Sequence, residues 1–140
     1  MKKTIVFIFL AFCHNAFCQG PPPAALEAAP ENKKLIIELM DVSNFEGYFI
    51  DYCMKRIESV SAEKSLSNEI IIRSKNRINY TDFLNNTIFN QFAHLSIDEL
   101  KEMITLSKRL NAHKNHSDIF FTSSSLQSNL ELQISIYMLE

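Results

Sequence analysis

Leu95-Ser96-Ile97-Asp98-Glu99-Leu100-Lys101-Glu102-Met103-Ile104 is the stretch that decides the fold. Ser96 and Glu99 stand at the spacing of a capping box, in which the hydroxyl and the carboxylate each satisfy a backbone N–H that the first turn leaves unpaired. Leu100, Met103, Ile104 and Leu110 then return at helical intervals on one side. Asp98, Glu99 and Glu102 crowd the early turns, and Lys108, Arg109 and Lys114 come late. That order of charge opposes the helix dipole at both ends.

Working outward, the same periodicity recurs. Phe83, Leu84, Ile88, Phe92 and Leu95 fall on one broad face, with Asn79 or Thr81 as the cap. Glu69 to Ile78 holds three consecutive isoleucines, which suit a short strand as well as a helix. Helix is the expectation, because no strand of comparable alternation lies nearby to pair with it. Ser61 to Asn68 reads as a polar connection.

Further back, Leu35, Ile36, Leu39 and Met40 give a short first helix its apolar face. Ser43 and Glu46 have capping-box spacing and should open a second helix bearing Phe45, Phe49, Tyr52, Cys53, Ile57 and Val60. The link from Asp41 to Asn44 is short enough to make these two helices antiparallel neighbours. Gly47, inside the second helix, costs about 1 kcal/mol relative to Ala and points to close packing or a tolerated defect. Downstream, Leu126, Leu130, Ile134 and Tyr137 suit a helix, whereas Leu130, Leu132, Ile134, Ile136 and Met138 alternate as a half-buried strand would. Without a pairing partner for a strand, helix is again expected. The reading is an all-α protein: a compact bundle of five or six short amphipathic helices over 31–140.

The N-terminal segment has a different composition. Lys2 and Lys3 precede the apolar run Ile5 to Phe12, and small residues Ala16, Cys18 and Gly20 follow, the three-part layout of a cleavable secretory signal. The run is roughly half the ~20 residues of a membrane-spanning helix, so no stable membrane anchor is expected. Cleavage after Cys18 or Gly20 would deliver a periplasmic or secreted protein, with residues 1–18 as signal and 19–30 as a proline-rich leader holding all 4 prolines. Phe12 and Phe17 precede Cys13 and Cys18, which disfavours a lipid anchor. Cys53 would then be alone in an oxidising compartment, either a small buried hydrophobe or the donor of an intermolecular disulfide.

The capping-box segment resembles the helix start of the domain of unknown function 2059 family, small exported all-helical bacterial proteins. Leu35 to Met40, followed by an aromatic-bearing helix, is similar to that family's opening, so the likeness spans about residues 31–112. It implies a fold and a compartment but no activity. Where the family continues with an aromatic pair and Ser-Pro-x-Gly, this chain has Leu106-Ser107-Lys108-Arg109-Leu110-Asn111-Ala112.

Candidate chemistry is sparse. His113, His116 and Asp118 form a possible zinc or copper cluster, although Lys108, Arg109 and Lys114 nearby would repel a cation. There is no phosphate-binding glycine loop, nucleophile elbow or His-Glu-x-x-His run, so no enzyme and no cofactor are expected. Asn79-Tyr80-Thr81, Asn85-Asn86-Thr87 and Asn115-His116-Ser117 fit the glycosylation pattern, which in a bacterial host would be incidental. Without Lys2 and Lys3 the chain has 12 basic and 16 acidic residues, a net charge of −4 that makes nucleic acid a poor partner. Tyr48 flanks the Phe45, Phe49, Tyr52 stripe, so Tyr48 and Tyr52 are the candidate partner-binding residues, with core packing as the alternative. The function expected is a non-catalytic protein-protein binding module, of the kind that contacts an envelope component or neutralises a toxin. A metal-binding protein using the histidine-rich stretch is the second reading.

Overall fold

The computed structural model describes residues 27–112 and 123–139, and within them every regular element is a helix. The first is α1, Pro30–Val42, opened by Pro30, whose ring presets the helical φ where an N–H would go unused. Ala28 is buried, so packing begins inside the segment expected to be a leader. Ile36, Leu39 and Met40 are buried as expected.

Ser43 does not open the second helix. Its hydroxyl is buried and donates to the carbonyls of Leu39 (2.8 Å) and Met40 (3.1 Å), closing α1. Asn44 makes the turn in the left-handed region, φ 49°, and α2 runs Phe45–Glu63. The capping-box reading of Ser43 and Glu46 fails because the carbonyls of α1's last turn capture the hydroxyl. Gly47 is explained at the same turn: a Cβ there would lie 2.9 Å from both Nδ2 and Oδ1 of Asn44. The close approach is to a side chain, and it lets the two helices join through two residues.

Phe45, Phe49, Cys53, Ile57 and Ser61 form one buried ridge along α2 at intervals of four. Ser61 thus belongs to the helix and not to a connection. Next comes α3, Asn68–Asn76, capped by Ser67. Asn79 caps α4, Tyr80–Phe83, its Oδ1 accepting from the Asp82 N–H. A π-helical segment, Leu84–Ile88, then leads into α5, Phe89–Phe92. Phe83 and Ile88 are five residues apart, and the wider turn brings both into the core. Helix α6, Ile97–Asn111, has the complete reciprocal box between Ser96 and Glu99. Last is α7, Ser124–Met138, capped by Ser123. Leu130, Ile134 and Tyr137 are buried in it while Leu132 and Ile136 are exposed, as a helix requires and a strand does not.

Two parallel pairings organise the bundle. From one end of α1 to the other, Asn32 donates to the Leu95 carbonyl (2.8 Å), Glu38 pairs with Lys108 (2.7 Å), and the Val42 carbonyl accepts from Asn111 (2.9 Å). Both residue numbers rise together, so α1 and α6 run parallel, and α6 is α1's main neighbour, ahead of α2. In the second pair, Gln127 reaches Tyr52 and Glu131 reaches Arg56, which sets α2 parallel to α7. No described helix is long and apolar enough to cross a membrane.

Candidate functional site

Tyr48 and Tyr52 stand one turn apart on α2, off the fully buried ridge. Their rings are 5.7 Å apart, and Tyr48 also lies 5.8 Å from the Phe45 ring. Both are half-buried and packed on the core. With Asp51, Lys55, Arg56 and Ser59 they line a shallow groove of about 300 Å³. Lys55 and Asp51, one turn apart on α2, pair at 2.7 Å. Each tyrosine therefore contributes one edge to the core and the rest of its ring to the groove wall.

The Tyr52 hydroxyl is fixed from α7. It donates to Glu131 Oε1 in a short hydrogen bond and accepts from Gln127 Nε2 at 2.5 Å. The other carboxylate oxygen of Glu131 takes a hydrogen bond from Arg56 Nε at 3.1 Å. Glu131 is held below the usual carboxylate range, chiefly by the Tyr52 hydroxyl and then by Arg56. Burial, reinforced by Glu131, pushes the Tyr52 phenol up to about 12. The assembly is a neutral phenol, a carboxylate and a guanidinium in one continuous chain of hydrogen bonds, with no group poised to titrate near neutrality.

Beyond the Arg56–Glu131 bridge a second groove of about 370 Å³ opens between the C-terminal halves of α2 and α7, lined by Val60, Glu63, Lys64, Ile134 and Met138 among others. A third, of about 230 Å³, has Phe92, Leu95, Met103 and Leu126 as its walls and His94 and Gln91 at its rim. Beneath the first groove Cys53 is fully buried, and burial raises its thiol to about 12. It is the small core residue of the two alternatives, remote from intermolecular exchange.

His113, His116 and Asp118 lie outside the described residues, as do the N-terminal signal and both of its cleavage positions. Among the described residues no three His, Cys, Asp or Glu side chains gather to hold a metal. Glu131, Arg56 and Gln127 were not singled out from sequence, since 75 positions separate the bonded pairs. One signal was there: Glu131 is the lone charged residue of α7, and a single charge on an otherwise uncharged helix calls for a partner.

No family model, curated protein or solved structure matches the chain. Fold and site together define a small all-helical protein with an aromatic groove braced by a buried-edge polar chain.

Proposed function

We propose that this chain is an exported, non-catalytic module that binds another protein through the Tyr48–Tyr52 groove. The observation that carries the reading is the Tyr52–Glu131–Arg56 chain of hydrogen bonds, which immobilises an aromatic wall before any partner arrives. Aromatic and arginine side chains dominate the energetics of protein contacts, and a side chain already held in place loses little entropy on binding. The tripartite N-terminal layout of Lys2, Lys3 and the Ile5 to Phe12 run supports export to the periplasm or beyond.

The test is affinity capture from the host envelope with the native chain and with Tyr48→Asp. Capture of one partner in stoichiometric amount, abolished by Tyr48→Asp at unchanged helical circular dichroism, is the expected result. Retention of the same partner by a folded Tyr48→Asp variant would remove the groove from the binding surface.

A further inference from the structure

The hydroxyls of Tyr52 and Tyr137 are bonded in chemically different ways. Tyr137 donates to the backbone carbonyl of Asn79 at 3.3 Å and accepts from its N–H at 3.1 Å, a neutral pair with no group able to keep a proton. Tyr52 donates to Oε1 of the Glu131 carboxylate and accepts from Gln127 Nε2. The second oxygen of Glu131 accepts from Arg56 Nε, so the carboxylate stays ionised and aimed at the phenol. Tyr137 is buried, whereas Tyr52 is half-buried with its ring on the wall of the first groove. A phenol that loses an electron becomes a very strong acid. Its oxidation is therefore easy where a base already within hydrogen-bond reach takes the proton in the same step, and costly where none does.

We propose that Tyr52 is the site at which one-electron oxidation of this protein comes to rest, with Glu131 as the proton acceptor. The oxidant is of the high-potential metal-complex class, which takes an electron from the groove without entering the core. One electron passes from the Tyr52 ring to the oxidant, the phenolic O–H bond breaks, and the proton forms a new O–H bond on Glu131 Oε1. The products are a neutral phenoxyl radical, a neutral carboxylic acid and the oxidant reduced by one electron. Gln127 keeps its hydrogen bond to the phenoxyl oxygen throughout. An electron vacancy formed first on Tyr48, whose ring is 5.7 Å away, is filled by an electron from Tyr52. Nothing in this step requires a partner in the groove.

The test uses flash-generated tris(bipyridine)ruthenium(III), with a cobalt(III) ammine as quencher, on the purified chain as recovered from its host. Protein radicals are trapped with 2-methyl-2-nitrosopropane and the adducts mapped by peptide mass spectrometry. Most of the adduct is expected on Tyr52, with Tyr48, Tyr80 and Tyr137 minor. Glu131→Gln leaves an amide oxygen that still accepts from the phenol but cannot keep its proton, and should lower the Tyr52 adduct at least about tenfold at unchanged helical circular dichroism. Should that variant misfold, time-resolved infrared spectra of the native chain decide the matter, since the C=O band of a protonated carboxyl must rise together with the phenoxyl signal. Adduct spread by exposure over the 4 tyrosines, adduct settling on Cys53, an undiminished Tyr52 adduct in folded Glu131→Gln, or a phenoxyl without the carboxyl band would each overturn the proposal.

Discussion

The α1–α6 pair and the α2–α7 pair are both parallel, yet they are joined differently. Between α1 and α6 the contact is apolar, Ile36 and Leu39 with Leu100 and Ile104 all buried, and the polar links sit along its edge: Asn32 and Asn111 on backbone carbonyls, Lys108 on Glu38. Between α2 and α7 the polar chain of Tyr52, Glu131, Arg56 and Gln127 links the two helices, with one groove beside it on α2 and another between their C-terminal halves. A side-chain network inside a helix pair is justified energetically only when all its members are satisfied, and apolar packing would hold the helices at least as well. The first pair is built to hold the fold, and the second to hold side chains in fixed positions at the surface.

The largest effect should come from breaking the first pair. Leu100 is fully buried, and Leu100→Ala should cost about 3 kcal/mol in urea unfolding, through lost transfer energy and the cavity left behind. Alanine at Leu132, exposed on α7, should change stability by no more than about 0.5 kcal/mol.

Breaking the second pair should have a smaller effect, and one that depends on pH. The Glu131 carboxyl is lowered in the folded state, so its contribution is present above the ordinary carboxylate range and lost as pH falls through the folded value. The Tyr52 phenol is raised to about 12, so its contribution is complete below the unfolded value of about 10 and lost as pH rises between the two. Glu131→Gln should therefore flatten the acid limb of a stability–pH profile, and Tyr52→Phe the alkaline limb. Glu131 is about two-fifths exposed, so solvent screening keeps the acid effect modest.

The smallest effect sharpens the comparison from the other side. Ser107 on α6 is fully buried with its hydroxyl unpaired, and so is Ser61 on α2 at 1% exposure. Ser107→Ala removes a desolvated hydroxyl and almost no volume, and should leave stability unchanged or raise it by up to about 1 kcal/mol in thermal unfolding. A loss of that size would mean that the serine has a polar partner in solution.

Local signals carried most of the fold. The Ser96–Glu99 box, the Asn79 cap and the apolar periods of α1, α2, α6 and α7 are written within one or two turns of chain, where side chain and backbone meet without help from distant residues. Failures came where two ends competed for one group. Ser43 had the spacing to start a helix and was taken by the helix before it. The π-helical turn hid in the five-residue step from Phe83 to Ile88, a spacing that ordinary helical periodicity blurs into one broad face. Of the site, Tyr48 and Tyr52 could be picked out as aromatics flanking a ridge, but what braces them could not. Tyr52 meets Glu131 only because α2 and α7 run parallel, and that register is set by packing across the whole bundle.

The central claim, that the α2–α7 side is the binding face and the α1–α6 side is scaffold, can be read by site-specific photo-cross-linking in the native host. A benzophenone side chain placed at Ser59, on the groove rim, is compared with one at Lys101, exposed on α6. The account predicts an adduct of one discrete mass from position 59 and none from position 101. Equal adducts from both positions, or an adduct from 101 alone, would contradict it.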